Sequence, residues 1–252
     1  MSIGPFTGRV AVVTGGAASL GRATVLGLAR RGARVFIADR DLPAARRLEA
    51  EVRAAGGQAD AVEVDVTNAR SLEAMVSSVL ENGGRIDCLV NNAGILGPVK
   101  PLLETTDDDV RRVFEFNVQA VFTCTRLVAR HMVARGSGSI VTIASVAGKD
   151  GPKDLSIYAS SKAAVIGFTK SWAKEFAGRG VRVNCVSPSL IGATGMQAEM
   201  PAGFSTDSVS RIPMGRPATV DEVANIVCFL LSDEASFVTA ACYDASGGRA
   251  TY

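Results

Sequence analysis

The sequence predicts an α/β fold, a single doubly wound parallel sheet with helices on both faces. Three observations point to it. Short β-branched runs alternate with amphipathic stretches along most of the chain, which is the spacing of consecutive βαβ units. Strand candidates such as Val10, Ala11, Val12 and Val13 are apolar at every position, as burial on both faces requires and a one-sided antiparallel sheet does not. With 252 residues, 47% hydrophobic and 21% charged, the chain can bury a large core without a second domain or covalent staples. Residues 1–252 are therefore expected to form one domain.

The first strand is expected over residues 10–14 with a helix following to Arg31, and the second over 34–39 with a helix to Ala55. A third strand at 61–64 precedes a helix near 69–81. The apolar run 86–91 reads as the fourth strand, 107–134 as one long helical region and 139–143 as the fifth strand. A helix over 156–177 and a strand over 181–187 complete the series. Residues 191–213 break the rhythm with Gly192, Gly195, Pro201 and Gly203, while Met196, Met200 and Phe204 are spaced as a short apolar helix. This segment reads as a lid over a site, with an ordinary surface excursion as the alternative.

Formal charge is +2 with Lys and Arg scattered along the chain, which favours a small-molecule partner over nucleic acid or an anionic membrane. The five cysteines, Cys88, Cys124, Cys185, Cys228 and Cys242, are far apart and mostly within apolar runs, so they read as reduced core residues. No Cys or His spacing suggests a metal site. The only histidine, His131, falls among Arg126, Arg130 and Arg135 and is assigned to a solvated helix face. Residues 1–8 lack the basic and apolar regions of a secretory signal, and no run of about 18 apolar residues is present to span a membrane, so a soluble cytoplasmic protein is expected.

After the first strand, Thr14-Gly15-Gly16-Ala17-Ala18-Ser19-Leu20-Gly21-Arg22 forms a small-residue turn opening into a helix. Small side chains admit a pyrophosphate to the backbone, and a helix N-terminus offers it unpaired N–H groups and partial positive charge. The turn alone is weak evidence, because such turns also serve packing. Asp39 strengthens it, since it ends the second strand at about the twenty-residue distance from which an acidic side chain accepts hydrogen bonds from an adenosine ribose. A 2′-phosphate at ~4 Å would be repelled by roughly 4 kcal/mol per charge at an effective dielectric of about 20, which selects NAD over NADP. Arg40 partly offsets this repulsion, and Asp39 is alternatively placed to cap the next helix.

Tyr158 and Lys162 lie at i and i+4, on one face of a helix and one turn apart. A tyrosine of ordinary pKa ~10 must fall towards ~7 to act as a base, about 4 kcal/mol of differential stabilisation, of which a nearby ammonium typically supplies a part. A cationic nicotinamide adds to it in the oxidation direction.

These residues together carry a family resemblance. Over essentially its whole length the chain resembles a classical short-chain dehydrogenase/reductase: the turn at 14–21, Asn91-Asn92-Ala93-Gly94 after the fourth strand, Asn117 in the next helix, Ser145 after the fifth strand, and Tyr158 with Lys162. The resemblance implies a Rossmann-like fold and hydride exchange with NAD. It implies that Tyr158 exchanges a proton with the substrate oxygen, Ser145 orients that oxygen, Lys162 lowers the Tyr158 pKa and holds the nicotinamide ribose, and Asn117 anchors a proton-relay water. Gly15, Ser19, Leu20 and Gly21 would meet the pyrophosphate, Asp39 and Arg40 the ribose, and Asp65 and Val66 the adenine. Asn91, Ala93 and Gly94 would line the cleft, with Pro188, Ile191 and Thr194 near the nicotinamide. A homo-oligomer, usually a tetramer, is also implied, formed through 107–134, 156–177 and the C-terminal segment.

Several positions depart from the family pattern. Ser19 stands where the middle glycine is usual, at a cost of roughly 1–2 kcal/mol if the backbone there is left-handed. Ser189 replaces the glycine after Pro188, and Ala193 stands in for a threonine, with Thr194 one position later. Ala240 and Ser246 replace a common glycine and aspartate. The leading expectation is an NAD-dependent oxidoreductase acting on a secondary alcohol or ketone, its specificity shaped by Leu96, Val146, Ser189, Leu190 and the lid. Two alternatives stand beside it. One is a 3-oxoacyl-type reductase meeting an anionic carrier through Lys149 and Lys153, and the other is a non-catalytic dinucleotide sensor.

Overall fold

The computed structural model describes residues 4–192, 195 and 204–250. Among the described residues, seven strands form one parallel sheet in the order β3-β2-β1-β4-β5-β6-β7. They are β1 (Val10–Thr14), β2 (Arg34–Asp39), β3 (Gln58–Glu63), β4 (Cys88–Asn91), β5 (Gly138–Ile143), β6 (Val181–Pro188) and β7 (Cys242–Ala245). Helices α1 (Ser19–Arg30), α2 (Leu42–Ala54), α3 (Ala69–Gly83), α4 (Asp107–Phe114), α5 (Ala120–Arg135), α6 (Ala147–Asp150), α7 (Ser156–Phe176), α8 (Phe204–Ser210) and α9 (Val220–Leu231) connect them.

The fully apolar first strand accounts for the two-layer core. Side chains alternate across a strand, so Ala11 and Val13 pack with Leu28 of α1 and with Val223, Val227 and Leu231 of α9. Val10 and Val12 enter the opposite core with Val76 of α3, Val128 and Met132 of α5, and Trp172 of α7. Strand order reverses between β1 and β4, and in such sheets ligands bind outside the carboxyl ends of the strands at that switch point.

Four differences from the expected elements have local causes. β3 begins at Gln58, three residues earlier than expected, because Asp60 is ion-paired at the sheet edge to Arg34 and Arg53 and hides the strand pattern. β4 starts at Cys88, since the Asp87 carboxylate, not a ladder carbonyl, accepts the Val10 N–H at 2.8 Å. The long helical region is interrupted by a π-helical turn over Glu115–Gln119. The short, half-exposed β7 and the helix α9 extend the architecture past the expected last strand.

Candidate active site

A cleft of about 450 Å³ opens over the carboxyl ends of the central strands. Its first wall is the turn between β1 and α1. Gly15 takes φ +60°, and Ser19 opens α1 at φ +48°, so the left-handed conformation considered for that serine is present. A Cβ on Gly21 would stand 2.0 Å from the Gly15 carbonyl oxygen, so only glycine lets the helix pack against the turn. Asn92 fixes the turn from β4, its Nδ2 donating to the carbonyls of Thr14 at 3.1 Å and Gly15 at 2.9 Å. The N-termini of α2, α3, α4 and α9 are capped by Asp41, Asn68, Thr106 and Thr219; α1, like α5 and α7, has no side-chain cap and no acid in its first turn, and of these three it is α1 that opens directly from the glycine turn lining the cleft. Its free N–H groups and partial positive charge are what a pyrophosphate requires.

Asp39 lines the cleft at the tip of β2. One carboxylate oxygen accepts the Ala17 N–H and the other the Asp41 N–H, each at 3.0 Å, which orients the group and leaves lone pairs for ribose hydroxyls. Capping of α2 falls to Asp41 instead, which accepts the Ala44 N–H at 2.9 Å. Arg40, Asp65 and Val66 continue the wall. The Thr67 hydroxyl and N–H, bonding to Asp65, hold its carboxyl below its ordinary range.

At the other end, β5 delivers Ser145 and α7 presents Tyr158 and Lys162 on one face. Tyr158 is buried and hydrogen-bonded to Ser145, whose Oγ also accepts the Ala147 N–H at 3.1 Å. Lys162 Nζ donates to the Ile143 carbonyl at 2.8 Å. Burial pushes the Tyr158 phenol up to about 12, outweighing the Ser145 bond that favours the phenolate, and pushes the Lys162 amine down to about 8. The expected lowering of the phenol by a neighbouring ammonium is thus not present in the ligand-free protein, because both groups are desolvated and the lysine is engaged by a carbonyl.

Asn117 sits in the π-helical turn, a feature frequent at functional sites. It accepts the Ile95 N–H at 2.9 Å and donates to the Ile95 carbonyl at 2.9 Å and to Ser161 Oγ at 3.0 Å. It therefore clamps the loop after β4 from below and does not itself line the cleft. Gly94 lies between, where an added Cβ would come within 3.0 Å of Asn117 Oδ1 and 3.6 Å of Lys162 Nζ.

The cleft brings together Gly15, Ser19, Leu20, Asp39, Arg40, Asp65, Val66, Ala93, Gly94, Ser145, Tyr158, Lys162, Pro188 and Ile191. Gly21 acts beneath its wall. Asn91 faces away, donating from Nδ2 to Thr125 at 2.9 Å and Thr142 at 3.2 Å, and its neighbour Asn92 lines the cleft instead. Thr194 and Ala193 lie outside the described residues, as do residues 196–203 of the expected lid. Leu96, Val146, Ser189 and Leu190 also line the cleft. Sequence reasoning passed over Phe116, Pro152, Leu155, Ser208 and Arg249, which also line it and carry no motif signal. Lys149 and Lys153 do not line the cleft, and His131 is exposed.

A family model described as enoyl-(acyl carrier protein) reductase matches residues 15–250. The 2-dehydro-3-deoxy-L-rhamnonate dehydrogenase (NAD(+)) of Sphingomonas sp. is 39% identical over 249 residues, covering 99% of this chain and 98% of that protein. The 3-oxoacyl-(acyl-carrier-protein) reductase of Thermotoga maritima is 39% identical over 241 residues, covering 96% and 97%. A crystal structure of NAD+-bound xylitol dehydrogenase superposes with a TM-score of 0.91 at 33% identity, over 96% of this chain and 99% of that one. The chain belongs to the classical short-chain dehydrogenase/reductase family.

Proposed function

We propose that the protein is an NAD-dependent oxidoreductase interconverting a secondary alcohol and its ketone. One observation carries this: a single cleft has the hydrogen-bonded Tyr158–Ser145 pair with Lys162 at one end and the oriented Asp39 carboxylate at the other. The rhamnonate-related relative and the xylitol dehydrogenase are both named with NAD.

The chain fits the cofactor. The uncapped α1 N-terminus would hold the pyrophosphate, Asp39 the adenosine ribose, Lys162 the nicotinamide ribose, and Asp65 and Val66 the adenine edge. NAD, when bound, supplies the acceptor for the two electrons leaving the carbinol carbon. Ser145 Oγ orients the substrate oxygen, and Tyr158 Oη takes its proton in oxidation and returns it in reduction. A Tyr158 pKa near 12 keeps the phenol protonated in the resting protein, ready as the acid for ketone reduction. Oxidation needs the phenol brought down, and Lys162 becomes cationic below about pH 8 and favours the phenolate. Asn117 positions residues 94–95 beside Lys162 through its clamp on Ile95.

Residues 191–213 act as the lid, a reading supported by Gly195 and Ser208 lining the cleft and by the 3.4 Å bond from the Gly195 N–H to Ser19 Oγ. The assembly is a homotetramer. Supporting it, Phe122 is 47% exposed beside Phe168 and Trp172, and Phe237 and Tyr243 are exposed near the C-terminus. Among the described residues no helix is long and apolar enough to cross a membrane. The five free thiols, four of them buried, suit the reducing cytoplasm, where we place the protein. The 3-oxoacyl reading is compatible with the Thermotoga maritima relative but is less favoured, because the oriented Asp39 carboxylate and the two relatives named with NAD support an NAD-dependent alcohol dehydrogenase.

Fluorescence titration with NADH and NADPH, beside initial rates on secondary alcohols for wild type and Tyr158→Phe, tests the proposal. Tighter NADH binding with turnover lost in Tyr158→Phe is expected. Preference for NADPH would overturn the Asp39 argument, and binding without turnover of any alcohol or ketone would favour the sensor.

A further inference from the structure

The charged side chains lining the described part of the cleft are Asp39, Arg40 and Asp65 at the adenine end, the catalytic Lys162, and Arg249 at the substrate end. Arg249 comes from the C-terminal tail, and no motif accounts for it. Its side chain is only 9% exposed, a state rare for arginine without a specific partner. Its Nε donates to Asp150 Oδ2 at 2.8 Å, which leaves both Nη groups with no hydrogen-bond partner among the described residues. Asp150 ends α6, the short helix that follows Ser145. α6 packs backbone-close on α7, since a Cβ on its Gly148 would stand 2.7 Å from the Ala163 nitrogen. The guanidinium is therefore tied, through α6, to the framework that holds Ser145, Tyr158 and Lys162. A planar fork with its Nε anchored and both Nη groups unpaired among the described residues, largely withdrawn from water in a cleft that Pro152 and Leu155 also line, suits two parallel bonds to an incoming carboxylate.

Resting on the oxidoreductase reading above, we infer that Arg249 is a specificity-determining residue that selects secondary alcohols, and their ketones, bearing a carboxylate at the end remote from the reacting carbon. Asp150 orients the fork but opposes the substrate's charge, so it tempers the preference while fixing its direction.

The test compares kcat/KM for 3-hydroxybutanoate, 4-hydroxypentanoate and 4-hydroxycyclohexanecarboxylate, each beside its methyl ester, in wild type, Arg249→Gln, Arg249→Lys and Asp150→Asn. Wild type is expected to favour at least one acid over its ester by about 10- to 100-fold, the range for a hydrogen-bonded charge pair. Arg249→Gln should remove that ratio by lowering kcat/KM for the acids at least about tenfold more than for their esters, Arg249→Lys should keep part of it, and Asp150→Asn, which retains the acceptor oxygen, should raise it. Equal rates on acids and esters in wild type, or an unchanged ratio in Arg249→Gln, would overturn the inference and leave the oxidoreductase reading intact. Calorimetry of the same carboxylates with the NADH complex separates the converse case: Arg249-dependent binding without turnover of any alcohol would support the anion site while the catalytic reading fell.

Discussion

Lys162 Nζ lies 5.7 Å from the centroid of the Tyr158 ring and donates at 2.8 Å to the Ile143 carbonyl, so the two groups share one buried face without a direct bond between their polar atoms among those described. Burial favours the neutral form of each. Ultraviolet absorbance of tyrosinate should therefore show one residue ionising only near pH 12 in the ligand-free protein, against an ordinary tyrosine pKa of about 10, and the signal should be missing from Tyr158→Phe. Since positive charge beside the phenol favours its phenolate, NAD should move that ionisation to lower pH. By linkage, NAD should bind more tightly as pH rises towards it. An ordinary titration near 10 in the ligand-free protein would show that burial does not control this phenol.

The same burial makes Lys162 a stability burden. Its pKa falls from an ordinary 10.5 to about 8, so between those values the unfolded chain holds a proton that the folded chain has released. Stability contributed by this group thus rises with pH from about 8 to 10.5, and at pH 7 its charge costs the fold about 3 kcal/mol. Lys162→Met should stabilise the ligand-free protein at pH 7 by about 2 kcal/mol after allowing for the orphaned Ile143 carbonyl, while abolishing turnover. Urea unfolding at pH 7 and pH 10 checks the sign, and the gain should be largely gone at the higher pH.

Gly21 gives the sharpest test of the cofactor wall. Its missing side chain leaves room for the Gly15 carbonyl, and a methyl group there would meet backbone at 2.0 Å and Asn92 Nδ2 at 2.7 Å. Gly21→Ala should displace the turn that Asn92 braces and weaken NADH binding by at least about tenfold, a change of ~1.4 kcal/mol. Far-ultraviolet circular dichroism should stay near wild type, since the sheet and both core layers do not depend on this contact. Unchanged NADH affinity would show that the turn is not where the pyrophosphate binds.

The strongly buried strands were legible because the apolar runs 10–13 of β1, 35–38 of β2 and 140–141 of β5 are buried on both faces, and the candidate site was legible because most of its residues follow strand ends in fixed order. What the sequence hid had physical reasons. Asn91 and Asn92 are adjacent amides, and only the alternation of the strand decides that the first turns inward to Thr125 and Thr142 while the second braces the turn. The π-helical turn around Asn117 has the same composition as the α-helix it interrupts. The four residues of β7, Cys242-Tyr243-Asp244-Ala245, are half exposed and too short to carry a period. Arg249 reaches the cleft through tertiary packing alone, and no spacing along the chain encodes that.

Ala240 shows how a departure from the family pattern translates into energy. It stands just before β7 with φ +64°, a left-handed backbone in which its Cβ crowds the following carbonyl, at a cost of roughly 1–2 kcal/mol. The strain is held in place because the Ala240 N–H bonds to the Val183 carbonyl at 2.9 Å and Ala241 N–H bonds to Asn184 Oδ1 at 3.0 Å, which together dock β7 onto β6. Glycine would adopt the same conformation without the clash, but it would also loosen the unfolded chain by about 0.4–1 kcal/mol. The two effects oppose, and the relief of strain is the larger. Ala240→Gly should therefore raise stability by up to about 1 kcal/mol, or about 2–4 °C in Tm for a chain of this size, with NADH affinity unchanged because Ala240 does not line the cleft. A fall in Tm on thermal unfolding would mean that the entropy of the unfolded chain outweighs the strain.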